Sequence, residues 1–352
     1  MATSPNYSWA EPDNSSLVKN GAQDIRALGD AIDTSVWNIG FGQAGKNKII
    51  NGDFGVWQRG TSFSSVFNVV TSDRWFVGYD TGSPTQTISR QNFTAGAAPV
   101  AGYENPFYFD WSVATPSTMT TRYLWTKIED VRTFAGNTVT LSFWAKAASA
   151  TTITSYLVQN FGSGGSGSVN SASQNNSLTT AWTRFTHTIS VASISGKTVG
   201  TSSYLEADLQ INSGSVQVSL FGVQLEYGSK ATPFETATGT LQGERSACER
   251  YYQRWDIANF SKIGTGVFFS STAVFGCNVP PKVTFRATPT LAIAGCVAFD
   301  GVSSYAATLS TNLSTATQIA FDLAVSGATA LRVAMIGGNN TSNAYFEASA
   351  EL

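Results

Sequence analysis

The chain has 352 residues, enough for two domains with cores of their own, and only 12% of them are charged, about half the usual share. Lys and Arg number 21 against 23 Asp and Glu, a net charge of −2 with no basic block, which excludes a nucleic-acid binder that must displace counterions from phosphates. No window holds 18 consecutive apolar residues, which excludes a membrane-inserted helix, and the opening Met1-Ala2-Thr3-Ser4-Pro5-Asn6-Tyr7 lacks the basic and apolar regions of a signal peptide, which predicts synthesis in a cytoplasm without signal-peptide export.

Residues 1–16 are polar, carry Pro5 and Pro12, and predict an extended arm. Tyr7 and Trp9 are its only bulky apolar groups, a pattern that fits either a docking surface or an arm folded back on its own domain. Residues 22–36 then show helical spacing at Ile25, Leu28, Ile32 and Ser35, with Val18 one heptad earlier. About two heptads do not hold a coiled coil alone, so this helix requires a further support. Ile39 to Gly45 is a glycine-rich joint, and residues 1–46 form the first unit.

From Asn47 to Glu235 the pattern is repeated strands with turns, as the abundance of Gly, Ser, Thr and Asn leads one to expect. Ile49 to Gly60 and Gly222 to Gly228 each place an apolar strand beside a glycine turn, and together they read as the first and last strands of one β-sandwich. Val139, Leu141, Phe143 and Ala145 alternate with Thr140, Ser142, Trp144 and Lys146, and Leu205, Ala207, Leu209 and Ile211 alternate likewise. The closing strand changes phase between Leu220 and Phe221, which predicts a β-bulge at Phe221-Gly222. Gly162 to Ser168 predicts a mobile loop. Residues 236–258 read as a helical connector with an aromatic end at Tyr251, Tyr252 and Trp255. Residues 259–352 form a second β unit that ends in alternation, Tyr345, Glu347 and Ser349 opposite Phe346, Ala348 and Ala350. The fold class is therefore mostly β: an arm with a short helix, a β-sandwich of jelly-roll type, a short connecting helix and a C-terminal sandwich-like domain.

Asn51-Gly52-Asp53-Phe54, Val56 to Phe63 and Ser72-Asp73-Arg74-Trp75 resemble the opening of tail-fibre and other virion structural proteins of tailed bacteriophages. Gln224-Leu225-Glu226-Tyr227-Gly228, Thr232 to Glu235 and Cys248 to Gln253 fit the same group. So do Leu17 to Gly29, Arg286-Ala287-Thr288-Pro289-Thr290 and the stretch from Tyr345 to Leu352. The resemblance implies a virion appendage, homotrimeric, attached to the tail or baseplate through its N-terminus and touching a host surface glycan with its far domain. Virion-attachment candidates are Tyr7, Trp9, Pro12, Ile25, Leu28 and Ile32. Its rivals are a purely structural capsid or baseplate subunit and an enzyme that degrades surface polysaccharide. The middle domain is also similar to jelly-roll carbohydrate-binding modules. Those commonly hold calcium, but Gly55 and Gly222 stand here where acidic residues are usual, so no metal is expected.

Chemistry-bearing residues are few. The only histidine, His187, shares a face with Phe185, Ile189 and Val191 and reads as a core residue. Cys248, Cys277 and Cys296 read as buried thiols, with a bridge between the last two left open. Glu206 and Asp208 stand about 7 Å apart by strand rise, a spacing any alternating strand produces, and read as an exposed polar face. No catalytic residue, metal site or cofactor is expected. Sugar faces stack on flat rings, and the middle domain supplies Trp57, Trp75, Tyr79, Tyr108, Trp111, Tyr123, Trp125 and Trp144. Trp144 is singled out because its face-mates are polar. In the C-terminal domain Tyr305, Asn339, Asn340, Asn343 and Tyr345 are the receptor-contact candidates.

Overall fold

The computed structural model describes residues 2–3, 9–11, 20–39, 45–100, 106–258, 261–338 and 344–352. Tyr7, Pro12, Asn339, Asn340 and Asn343 lie outside the described residues. The chain is mostly β, with helices at Gly21–Ile39 and Leu241–Glu249.

Two antiparallel sheets pack face to face in the middle of the chain. Sheet I has six strands, in the order Thr183–Ser190, Thr138–Ala147, Val218–Tyr227, Phe107–Thr115, Thr85–Asn92 and Ser62–Ser64. Sheet II has seven. Val169–Asn170, Thr151–Asn160, Tyr204–Ile211, Arg122–Glu129, Trp75–Tyr79 and Val69–Val70 follow in order, and Gln174–Leu178 pairs with Thr151–Asn160. The period of two sends Leu141, Phe143, Leu205, Leu209, Leu124, Trp75 and Val77 into one shared core with Phe109 and Trp111. Removing that apolar area from water is the main force that holds the sheets together.

The first expected strand is not one: Ile49 to Gly60 runs as turns and irregular backbone. It still lies along the last strand, with Lys48 N donating to Leu225 O at 3.0 Å and Val223 N to Gly52 O at 2.8 Å. A Cβ at Gly52 would fall 2.1 Å from Val223 O, so only glycine fits there. The Asn51 amide explains the departure from extended form. It donates to Val56 O, Ser72 Oγ and Asp73 O, each at 2.9 Å, and its Oδ1 accepts from Val56 N at 2.9 Å. The predicted bulge is present: the register of Val218–Tyr227 against Thr138–Ala147 shifts between Phe221 and Gln224. Gly162 to Ser168 is not a free linker. It is tied to the 198–201 segment by Ser163 N to Thr201 O at 2.9 Å, Ser166 N to Thr198 O at 2.9 Å and Thr201 N to Ser163 O at 3.0 Å.

The connector helix starts at a Thr240 cap that accepts from Gly243 N at 3.0 Å. It is shorter than the sequence suggests, because Tyr252–Ile257 is already a strand. That strand pairs with Ala344–Ser349, which pairs with Thr290–Ala294. A further seven-stranded sheet completes the C-terminal unit, around Phe268, Val274, Phe321, Ile336 and Phe346. Cys248, Cys277 and Cys296 are all free and buried.

The C-terminal unit is locked to the sandwich. Arg74, 1% exposed at its side chain, pairs with Glu351 and donates to Lys127 O at 2.5 Å, with its guanidinium 3.4 Å over the Tyr251 ring. Arg59 reaches Glu351 Oε1 at 3.1 Å and covers Tyr252 at 3.5 Å. Removing one partner of a buried pair strands the other charge, so Glu351→Ala is expected to cost about 3 kcal/mol of stability. Chemical denaturation should show a lowered midpoint for Glu351→Ala, and a midpoint equal to that of the parent would contradict the lock.

Candidate functional site

The outer face of sheet II brings a group of chemistry-bearing side chains together around an open cavity. In Arg122–Glu129, Leu124 and Thr126 point inward, so Tyr123, Trp125 and Lys127 point out. In Tyr204–Ile211 the same alternation turns out Tyr204, Glu206 and Asp208. Register then aligns them. Tyr156 pairs with Asp208, Asp208 with Trp125 and Trp125 with Phe76, one row across four strands. The neighbouring row is Val158, Glu206 and Lys127.

Trp125 lies stacked on Phe76, ring centres 5.5 Å apart and planes 13° from parallel. Gly78 makes room for it, since a Cβ there would stand 3.1 Å from Cζ3 of the indole. Phe67 against Tyr79, 4.7 Å between ring centres, adds further rings to the lining. The resulting open cavity holds about 420 Å³ and is lined by Tyr79, Tyr123, Trp125, Tyr156 and Tyr204 with Lys127, Glu206 and Asp208.

The carboxylates are not the exposed face expected from the sequence. Asp208 is 5% exposed, and its Oδ1 has no hydrogen-bond partner among the described residues. Burial, then the charge of Glu206, pushes its carboxyl up to about 7, against the Tyr156 hydroxyl bond that favours the ionised form. Glu206 is half-buried and raised by burial, with Lys127 opposing. Lys127 is lowered by burial, with Glu206 opposing; its ammonium sits 4.6 Å from the Tyr204 ring centre and donates to Leu352 O at 2.9 Å. Burial is also the first cause of the raised Tyr123, Tyr156 and Tyr204 hydroxyls. Flat rings beside a desolvated acceptor suit a ligand with apolar C–H faces and many hydroxyls.

The residues singled out from the sequence lie elsewhere. Trp144 is half-buried on the outer face of sheet I, beside the bulge, where a Cβ on Gly222 would come within 3.1 Å of its Cδ1. Its Nε1 is buried and has no partner among the described residues. Tyr305 packs on Phe268 at 5.4 Å and its hydroxyl donates to Asp300 Oδ2 at 3.4 Å. Tyr345 lies under the Arg254 guanidinium at 4.0 Å. In the N-terminal helix Ile25 is 66% and Ile32 38% exposed, Leu28 is half-buried, and Trp9 is half-buried before it. His187 is a buried core residue: Nδ1 meets Ser155 Oγ at 3.1 Å, and burial lowers its pKa. The cleft was missed because its residues come from several strands. Tyr123, Trp125 and Lys127 alternate visibly in the sequence, but the cross-strand register that unites them with Asp208 does not.

No protein-family model and no curated protein matches this chain. Among solved structures, it is similar to a protein titled "CBM4 structure and function", with 20% identity over 51% of this chain and 98% of the other and a TM-score of 0.30. It is similar to the enzymatically active domain of bacteriophage CBA120 tailspike protein 4, with 18% identity over 52% of this chain and 22% of the other and a TM-score of 0.34. A third, TmCBM61 in complex with beta-1,4-galactotriose, is 12% identical over 52% of this chain and 99% of the other, with a TM-score of 0.31. At such identities and scores these likenesses carry no argument about activity.

A carboxyl raised above its unfolded value of 3.8 to about 7 stabilises the fold while protonated; the contribution is full below the unfolded value and lost as pH rises through about 7. Asp208→Asn keeps the shape without the charge. Thermal unfolding is expected to show the variant gaining over the parent at about pH 8 and much less at about pH 4. An equal difference at both would refute the burial effect.

Proposed function

We propose that the sheet II cleft binds a sugar unit of a host surface glycan, and that the chain is a phage tail fibre that adheres through many such sites. The observation that carries the binding reading is the open cavity walled by tyrosines and Trp125, with Lys127, Glu206 and Asp208 in its lining. The motifs from Asn51 to Trp75 and from Gln224 to Gln253 support the tail-fibre part by resemblance. Exposed Ile25 and Ile32 on the N-terminal helix support self-association through residues 1–46; Ile and Leu at these heptad positions lean towards two strands, so the homotrimer rests on the resemblance. Several weak sites on one assembly then give an avidity that a single site lacks.

A second reading has one observation in its favour. Asp208, raised to about 7, is suited to donate a proton near neutrality, and Glu206 stands two residues away. Both carboxylates, however, rise from one strand two residues apart, whereas glycosidic cleavage uses a pair that flanks the bond.

Binding to an immobilised envelope-glycan array tests the first reading. Trp125→Ala and Asp208→Ala should each weaken retention at least about tenfold, the loss of one or two desolvated contacts, while Trp144→Ala stays close to the parent. Unaltered retention in the Trp125 and Asp208 variants removes the cleft from the reading. New reducing ends released by the parent and lost in Asp208→Asn would favour the enzyme. The fibre part has its own readout: sedimentation should give the mass of three chains, and a monomer would count against it.

A further inference from the structure

The junction between the sandwich, the connector helix and the C-terminal unit contains a second cavity, of about 560 Å³. Each of the three parts contributes an arginine: Arg90 from sheet I, Arg245 from the helix and Arg254 from the Tyr252–Ile257 strand. One carboxylate, Asp256, stands among the lining residues, and Trp57 and Phe107 supply rings. Carboxylates just beyond the lining, Glu249 at Arg245 and Glu347 at Arg254, join Asp256 in balancing two of the three guanidiniums and leave Arg90 as the cation without one among the described residues.

The three arginines are not equally satisfied. Arg254 Nε meets Asp256 Oδ1 at 2.7 Å, and Arg245 Nε meets Glu249 Oε1 at 3.1 Å. Arg90 meets no carboxylate among the described residues; its guanidinium lies 3.9 Å over the Phe107 ring. A half-buried guanidinium held flat by a ring keeps its N–H edge oriented for an acceptor while its position is fixed. The volume falls within the roughly 300–1,000 Å³ of small-ligand sites. None of this depends on the sheet II cleft, which is lined by a different set of residues.

We infer that the junction cavity is a binding site for an anionic saccharide, with Arg90 and Arg245 gripping its carboxylate or phosphate and Phe107 and Trp57 forming an apolar wall. Guanidinium forks match both oxyanions bidentately, so the shared chemistry is a planar or tetrahedral oxyanion on a sugar-sized body. The ligand would touch all three parts of the chain at once and would therefore stabilise the whole junction by mass action.

Calorimetric titration of the full chain tests this with two probes, a trigalacturonate and a hexose phosphate, and with the methyl ester of the first as a neutral control. Saturable binding of an acidic probe is expected, weakening steeply as salt rises from about 0.05 to about 0.5 M, with a ligand-dependent rise in Tm. Arg90→Ala combined with Arg245→Ala should lower affinity at least about tenfold, and Trp125→Ala in the other cleft should leave it unchanged. Binding of the uronate alone identifies a carboxylate sugar, and binding of the phosphate alone a phosphorylated one. Should the paired variant lose its fold, Arg245→Glu decides, since that side chain is 63% exposed and its reversal spares the core. The inference is overturned if neither acidic probe saturates, if the ester binds as tightly as the acid, or if the arginine variants bind like the parent.

Discussion

A fully buried amide has to have its polar atoms satisfied inside the protein, and at Asn51 that requirement organises the joint between the two β units. Its side chain closes on Val56, Ser72 and Asp73, its N–H donates to Glu244 Oε2 at 2.7 Å, and its carbonyl accepts from Trp75 Nε1 at 2.9 Å. One residue thereby ties the start of the sandwich, the turn before Trp75 and the connector helix. The arrangement puts Asn51 at a φ of 58° and Phe54 at 54°. Asparagine tolerates that region, and phenylalanine does not without strain. Phe54 is held there by complete burial against Trp75 and Phe109, at 5.0 and 5.2 Å. Because Glu244 is committed to this network, the helix is fixed, and Tyr251 and Tyr252 after it come under Arg74 and Arg59.

The same economy decides which face of the sandwich stays open. On sheet I the outward residues Thr140, Ser142, Gln224 and Glu226 are polar yet buried, because the segment after the last strand folds back over them. Thr140 Oγ1 donates to Gly228 O at 2.8 Å, Thr232 N to Glu226 Oε1 at 2.8 Å and Glu235 N to Gln224 Oε1 at 2.9 Å. Glu226 also meets Lys46 at 3.5 Å. This strap closes its part of the sheet I face. Over the central strands of sheet II rings and carboxylates are left to form a cleft.

The strap also shows where sequence reading stops. Alternation gave Thr138–Ala147 and Tyr204–Ile211 with their inward residues, and the phase change at Phe221 located the bulge, whereas the expected first strand from Ile49 to Gly60 is irregular backbone. Alternation assigns a side to each residue but not what lies above it. Trp144 among polar neighbours looks like an open platform only until Gly222 and the strap are in place beside it. Glu206 and Asp208 look exposed until Tyr156, Tyr204 and Trp125 rise around them. Apart from Tyr204, the deciding neighbours are tens of residues distant, and register rather than composition brings them together. The motifs Asn51 to Trp75 and Cys248 to Gln253 were legible as a signature, and their physical content is the joint itself: Asp73 accepts from Gln58 and Arg59, and Gln58 reaches Tyr252 O at 2.9 Å.

The two proposed sites differ in sign, and that difference follows from how each was desolvated. The cleft holds two carboxylates against Lys127, and burial already presses Asp208 towards its neutral form, so an anionic ligand would meet repulsion there and a neutral, hydroxyl-rich one would not. The junction leaves Arg90 with no carboxylate among the described residues, so an oxyanion gains more there than a neutral sugar. A polymer that carries both neutral and acidic sugar units would fill both proposed sites. A fixed joint between the sandwich and the C-terminal unit then matters beyond stability, because it keeps the two sites at a constant separation. Occupying one raises the effective concentration of the polymer at the other only while that separation is held. The buried contacts of Asn51, Arg74 and Glu351 would thus contribute to recognition without touching the ligand.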